Sequence, residues 1–193
     1  MHPTTLNHAK TPFTNRVGQT GRVRYLTIVR HGESSPASVG QTDFARTLSE
    51  RGRAQCVRLR EWASDPDALG AYGPVTALVS AAARTLETFQ FAFEGLEFVA
   101  SVQSSELMYN GKRDVTGEDL LIDLAALDPV TTSLLVVGHN PTVFELVTEL
   151  AARLPGKLRR GRFPTGAAYV LALPEDRPVG LGPYELVAKF VPG

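Results

Sequence analysis

Two histidines and two arginines follow apolar runs of the chain, and together they have the chemistry needed to bind and attack a phosphoryl group. Arg30 and His31 come directly after one run, Arg84 follows a second by a few residues, and His139 comes after a third. The planar guanidinium of arginine donates two parallel hydrogen bonds to phosphate oxygens. A neutral imidazole can act as a nucleophile or donate a hydrogen bond. These residues therefore predict phosphoryl chemistry, provided that the fold brings them together.

The spacing of apolar residues predicts the elements that position these side chains. From Tyr25 onwards, short apolar runs alternate with amphipathic stretches, and turn residues separate them, which is typical of βα units around a largely parallel sheet. The predicted strands are 25–29, 75–79, 98–102, 134–137, 167–173 and 185–190, and the predicted helices end at 63, 93, 127 and 153. Ligands of such sheets bind outside the carboxyl ends of the strands, so we expect the histidines and arginines to meet at that edge.

Two helix starts bear on this edge. Thr47 and Glu50 form a capping-box pattern that predicts the start of the first helix. Asn140 and Pro141 are expected at the N-cap and first position of the helix after the fourth strand. The free N–H groups of that helix would then point at the predicted phosphoryl site. Asn140 is accordingly predicted to be a phosphate-binding residue.

Four motifs of the chain resemble those of the histidine phosphatase superfamily, the family that includes the phosphoglycerate mutases. They are LTIVRHGE at 26–33, RTLSERGRAQ at 46–55, the segment from Ser80 through Arg84 to Thr88, and VVGHNP at 136–141. The resemblance covers residues 23–175. It implies a phosphoglycerate mutase-like fold, a three-layer α/β/α sandwich with a mostly parallel central sheet. It also implies that His31 is the nucleophile, that Arg30 and Arg84 bind the phosphoryl oxygens, and that His139 completes the pocket.

Details of the motifs favour one branch of that family. Mutases usually carry Asn six residues after the nucleophile and a long insertion, whereas this chain has Ala37 at that position and reaches its third strand quickly. Segments 43–46, 106–109, 138–141 and 163–166 are similar to those of the compact SixA-type phosphohistidine phosphatases. The resemblance therefore indicates a phosphatase, and a mutase is the less favoured alternative.

Several acidic residues near these motifs have alternative interpretations. Glu106 is the candidate general acid for the leaving group, or else an exposed loop carboxylate or the partner of an active-site arginine. Glu33 is expected to shape the loop after His31. Asp43 and Arg46 are expected to form a local ion pair or to orient the pocket rather than to carry out chemistry.

Composition excludes other classes of function. Twenty basic and twenty acidic residues give no net charge, which argues against a nucleic-acid binder, and no apolar run approaches the roughly 20 residues of a membrane span. Basic residues cluster in 1–32 and 153–162, and each cluster is either a solvated segment or part of a local anion site. In the second cluster, Arg159, Arg160 and Arg162 are candidates for contact with an acidic or phosphorylated substrate. Cys56 is the only cysteine and is expected to be a small buried residue, so an intrachain disulfide is excluded and a cytoplasmic location is predicted.

The sequence therefore predicts a single catalytic domain at 23–193 after an irregular extension at 1–22. Its predicted activity is removal of a phosphoryl group from protein phosphohistidine or a small phosphomonoester through a covalent intermediate on His31, with no metal and no cofactor. A catalytically weak phosphoryl-binding module on the same fold is the alternative.

Overall fold

The computed structural model describes residues 23–72, 74–109, 116, 133–151, 163–174 and 183–193. The predicted extension at 1–22 and the basic segment at 153–162 lie outside these residues, as does the predicted helix ending at 127 apart from Thr116. In the described part of the chain, no helix is long and apolar enough to cross a membrane.

Six strands form one sheet in the order β3-β2-β4-β1-β5-β6. They are β1 Val23–Arg30, β2 Val75–Ser80, β3 Val99–Ser105, β4 Ser133–Gly138, β5 Ala168–Pro174 and β6 Glu185–Phe190. The first four are mutually parallel, whereas β5 runs antiparallel to β1 and to β6. The prediction of a mostly parallel sheet is confirmed, and the carboxyl ends of β1, β2 and β4 lie side by side.

Helices cover both faces of this sheet. Among the described residues, they are α1 Glu50–Ala63, α2 Ala83–Ala92 and α3 Thr142–Leu150. Successive residues of a strand point to opposite faces, so Val29 packs in the core with α1 and α2, while Ile28 packs in the core with α3. Cys56 is fully buried in the first of these cores, as predicted. The fold is therefore the predicted three-layer α/β/α sandwich.

Two of the predicted helix starts are wrong by one or two residues. The N-cap of α1 is Ser49, whose hydroxyl accepts a hydrogen bond from the backbone N–H of Gly52. Thr47 cannot serve, because its carbonyl accepts the N–H of Ser35 and holds this segment extended. In α3 the N-cap is Pro141, which follows a cis peptide bond, so Asn140 lies one position before the cap.

The loop after β1 packs against the first turns of α1 with no room for side chains at two glycines. A Cβ on Gly32 would lie 2.8 Å from the carbonyl oxygen of Gly52, and a Cβ on Gly52 would overlap the carbonyl oxygen of Glu33. That same Glu33 carbonyl accepts the backbone N–H of Ser49, and the Glu33 N–H donates to the side chain of Gln55. The glycines therefore let the helix hold the loop that carries His31.

We expect Gly52→Ala to destabilise the protein by about 1 kcal/mol, because overpacking a fixed backbone contact typically costs roughly 1–3 kcal/mol and the helix propensity of alanine offsets roughly 1 kcal/mol of this cost. Alanine stabilises a helix by roughly 1 kcal/mol relative to glycine, so a loss of stability in this variant can come only from the clash with the Glu33 carbonyl. Urea unfolding measures the change in free energy. Arg53→Ala, an exposed position of the same helix, is the control and should stay within about 0.5 kcal/mol of the parent. A Gly52→Ala protein as stable as its parent would contradict the close contact.

Candidate active site

The four predicted site residues meet at the carboxyl edge of the sheet. Arg30 is the last residue of β1 and pairs with Gly138 at the end of β4, and the N–H of His31 donates to the Gly138 carbonyl at 3.1 Å. This pairing places the ring centroids of His31 and His139 only 5.1 Å apart. Arg84 lies in the first turn of α2, directly after β2. Both histidines and Arg84 are buried: His31 is 8% exposed, His139 4% and Arg84 7%.

His31 is held in one orientation and one protonation state. Its Nδ1–H donates to the carbonyl oxygen of Gly32 at 2.6 Å, which leaves Nε2 as the unprotonated nitrogen of a neutral ring. Burial lowers the pKa of His31 to about 3, the hydrogen bond to Gly32 opposes this shift, and three positive charges reinforce it. Those charges belong to Arg84, Arg30 and Arg46. At neutral pH, Nε2 is therefore available as a nucleophile.

His139 is equally buried but contacts a different partner. Its Nε2 lies 2.8 Å from the hydroxyl of Ser80, and its Nδ1 is buried without a hydrogen-bond partner among the described residues. Burial lowers the pKa of His139 to about 3, and the nearby His31 and Arg84 lower it further. The ring is therefore neutral at pH 7 and carries one proton.

The turn at 163–166 holds the end of β1 and the guanidinium of Arg30. Nη1 of Arg30 donates to the carbonyl oxygen of Phe163 at 2.7 Å, and the N–H of Gly166 donates to the carbonyls of both Arg30 and His31. Gln55 ties this turn to the helix, because its amide donates to the hydroxyl of Thr165 while its carbonyl accepts from the loop after His31. Arg30 is thus oriented by a segment more than 130 residues further along the chain.

Asp43 is the carboxylate that orients Arg84. The two terminal nitrogens of Arg84 donate to the carbonyl oxygen of Asp43 at 2.7 Å and to its Oδ2 at 3.0 Å. Tyr109 donates its hydroxyl to the same Oδ2 at 2.7 Å, and Arg46 pairs with Oδ1 at 2.6 Å. Partial burial raises the pKa of Asp43, but the Tyr109 and Arg46 hydrogen bonds and the Arg84 charge outweigh it and lower the pKa to about 2.

The predicted ion pair between Asp43 and Arg46 is therefore confirmed, but it is one part of a larger cluster. The contacts of Asp43 with Arg84 and Tyr109 were missed, because these residues are 41 and 66 positions away along the chain. Tyr109 also lies edge-on to the ring of His139 at 5.7 Å. In the sequence, the only signal for Tyr109 was its position in segment 106–109, which is similar to a segment of SixA-type proteins.

Glu106 begins a short 3-10 turn directly after β3 and is exposed. Within the described residues it forms no salt bridge, and the partner of Arg84 is Asp43 instead. Of the three interpretations, pairing with this arginine is excluded, and the role of general acid stays a prediction.

Asn140 lies beside the pocket rather than at a helix N-cap. Its amide nitrogen is 3.5 Å from the Phe163 carbonyl, the same oxygen that accepts from Arg30. Its side-chain oxygen Oδ1 is buried without a partner in the described part of the chain. Binding of phosphate by Asn140 stays a prediction.

Three described arginines thus surround two neutral histidines, which suits a bound anion. Among the residues described, no group of three or more His, Cys, Asp or Glu side chains could hold a metal ion. The arrangement can bind a tetrahedral oxyanion through Arg30 and Arg84 and present the Nε2 of His31 to its central atom.

Solved structures similar to this chain include proteins named as SixA phosphohistidine phosphatases. A protein assigned as phosphohistidine phosphatase SixA from Agrobacterium tumefaciens is 26% identical, with a TM-score of 0.68 over 88% of this chain and 99% of that one. Its counterpart from Nakamurella multipartitia is 24% identical, with a TM-score of 0.67 over 88% and 96%. The protein histidine phosphatase SixA in complex with tungstate is 22% identical, with a TM-score of 0.65 over 86% and 96%.

No protein-family model and no curated protein matches the chain. The structural matches show that it has the fold of the histidine phosphatase superfamily, and they confirm the predicted resemblance to SixA-type proteins.

The two buried histidines predict a loss of stability in mild acid. Both have a pKa of about 3 in the folded protein, below the value near 6.5 of an exposed histidine. As the pH falls below about 6.5, the unfolded chain binds protons that the folded chain does not, so the free energy of unfolding decreases by up to about 1.4 kcal/mol per pH unit for each histidine.

Urea unfolding at about pH 6 and pH 5, where most carboxylates are still ionised, measures this decrease. His139→Gln should show a smaller decrease than the parent over the same interval, because one of the two groups is gone. An equal pH dependence in parent and variant would show that His139 is not held neutral by the fold.

Proposed function

We propose that this chain is a phosphatase that removes a phosphoryl group from protein phosphohistidine or a small phosphomonoester through a covalent intermediate on His31. The observation that carries the proposal is the geometry of His31, a buried neutral imidazole whose Nδ1–H is bound to the Gly32 carbonyl at 2.6 Å. The ring centroid of His31 lies 5.1 Å from that of His139, and the charge of Arg84 acts on the His31 ring. A SixA structure similar to this chain holds tungstate, a tetrahedral oxyanion like phosphate.

In the first step, Nε2 of His31 attacks the phosphorus in line with the leaving group. The N–P bond forms as the bond from phosphorus to the leaving oxygen or nitrogen breaks. Arg30 and Arg84 neutralise the phosphoryl oxygens, which otherwise repel a nucleophile, and His139 donates a hydrogen bond to one of them. The His31 ring becomes cationic as the bond forms, and the Gly32 carbonyl stabilises the Nδ1–H of that cation.

In the second step, water attacks the phosphorus of the intermediate. The N–P bond breaks, inorganic phosphate forms, and the neutral His31 ring is restored with its proton still on Nδ1. The cations and the nucleophile are all side chains of the protein, so we propose that the reaction requires no metal.

Glu106 is the proposed general acid for substrates whose leaving group needs a proton. An alkoxide is a poor leaving group, whereas the imidazole of a protonated phosphohistidine leaves readily. The exposed position of Glu106 at the carboxyl end of β3, next to β2, leaves its carboxyl accessible to a substrate entering at this edge.

We expect His31→Ala to lower kcat/KM for a phosphohistidine peptide and for an aryl phosphate by roughly 10³-fold or more, because the nucleophile is lost. Brief incubation of the parent with labelled substrate should trap an acid-labile, base-stable phosphate on the protein that the variant does not form. His8→Ala is the matched control and should keep full activity, and EDTA should not inhibit the parent.

Full activity of His31→Ala would rule out the covalent mechanism. Binding of substrate by the parent without turnover would favour a phosphoryl-binding module, and isomerised product without free phosphate would favour a mutase.

We expect Glu106→Gln to lower kcat about 10²- to 10⁴-fold for an alkyl phosphate such as a sugar phosphate, because general acid catalysis is typically worth that much. Activity on the phosphohistidine peptide should change little. Glu61→Gln, on the exposed side of α1, is the control. Equal losses on both substrates would argue against a role in protonating the leaving group.

A further inference from the structure

We propose that Ser80 is a positioning residue that sets the tautomer of His139, so that the Nδ1–H of this histidine faces the phosphoryl group. Ser80 is the last residue of β2, is fully buried, and places its hydroxyl oxygen 2.8 Å from Nε2 of His139. The consequence for turnover rests on the proposed phosphatase activity, whereas the tautomer itself can be measured without it.

The sheet brings Ser80 and His139 together, because β2 and β4 are neighbouring strands. Val79 pairs with Val137 in the parallel register. Ser80 comes one residue after Val79 and His139 two residues after Val137, so both lie at the same end of these neighbouring strands. Other interactions restrain Ser80 through its backbone, since its carbonyl accepts the hydroxyl of Thr85 at 2.7 Å. The hydroxyl group of Ser80 makes no other hydrogen bond with the described residues.

Hydrogen-bond accounting favours the serine as donor to the histidine once a phosphoryl oxygen faces Nδ1. A neutral imidazole has one N–H and one acceptor nitrogen. If Ser80 donates to Nε2, the donor left without a partner in the described residues is the Nδ1–H of His139, which a phosphoryl oxygen can accept, and the hydroxyl oxygen keeps an unused lone pair. If Nε2 carried the proton instead, both the Ser80 hydroxyl proton and the Nδ1 lone pair would be left unsatisfied in a buried place.

The first arrangement is also the one that suits a phosphoryl ligand. The Nε2 edge of His139 is occupied by Ser80, so Nδ1 is the nitrogen left to meet a phosphoryl oxygen. With the proton on Nδ1 the ring donates to that oxygen, and with the proton on Nε2 two acceptors would face each other. Burial lowers the pKa of His139, so the ring carries one proton at neutral pH and the two tautomers remain distinct.

The direct test is nitrogen NMR of the histidine rings in the parent protein with saturating inorganic phosphate. The chain has four histidines, and His139→Gln serves to assign the ring signals of His139. We expect a protonated Nδ1 and an unprotonated Nε2. An Nε2-protonated ring in the phosphate complex would overturn the proposal, and this measurement needs no variant of Ser80.

Ser80→Ala is the complementary test. We expect the His139 signals to shift towards the Nε2-protonated form, which free histidine prefers in water, and the Kd for inorganic phosphate to rise about tenfold or more. Ser80→Cys keeps a weak donor of similar size and should fall between alanine and the parent. Ser104→Ala, an exposed position on the neighbouring strand, is the control and should change neither measurement.

A loss of phosphate affinity in Ser80→Ala with an unchanged tautomer would assign Ser80 a structural role and overturn the proposal. An unchanged tautomer with unchanged affinity would overturn it as well. Failure of the parent to hydrolyse any phosphoryl substrate would refute the proposed function alone, because the tautomer and the phosphate affinity are read without turnover.

Discussion

The parallel pairing of β1 with β4 is the constraint on which the site depends. Their register sets Arg30 beside Gly138, and the backbone bond between His31 and Gly138 continues that register one residue beyond the strand. Two imidazoles therefore lie together in a buried place, near arginines, where a charged histidine is disfavoured. Burial thus keeps both rings neutral. Because a neutral ring has one proton, the nitrogen that carries it can donate a hydrogen bond and the other can accept one or act as a nucleophile.

A different group determines which nitrogen carries the proton in each of the two rings. On His31 the Gly32 carbonyl takes the Nδ1–H and leaves Nε2 for attack, and on His139 the Ser80 hydroxyl engages Nε2 and leaves Nδ1. The loop that carries the first of these contacts stays in place because Gly52 allows α1 to pack directly on it. Close packing at Gly52 therefore helps to hold the Gly32 carbonyl that fixes the protonated nitrogen of His31.

Charge at the site is balanced locally rather than over the whole chain. The equal numbers of acidic and basic residues suggest no particular ligand, yet the fold gathers Arg30, Arg84 and Arg46 within reach of His31. Asp43 offsets part of this charge and fixes the direction of two of the guanidinium groups. A dianion entering the site would therefore meet cations that are already oriented, which reduces the reorganisation needed on binding.

Apolar periodicity and motif spacing are local properties, and they were enough to predict the order of the described strands and helices along the chain. They also pointed to Arg30, His31, Arg84 and His139, which follow the strands. The capping-box pattern misplaced the cap of α1 at Thr47, since the Thr47 carbonyl accepts the N–H of Ser35 and holds this segment extended. The contacts of Arg84 with Asp43 and of Ser80 with His139, 41 and 59 residues apart, are visible only in the folded chain. These contacts follow from a strand order that differs from the chain order and from side-chain directions at the sheet edge, which no local pattern encodes.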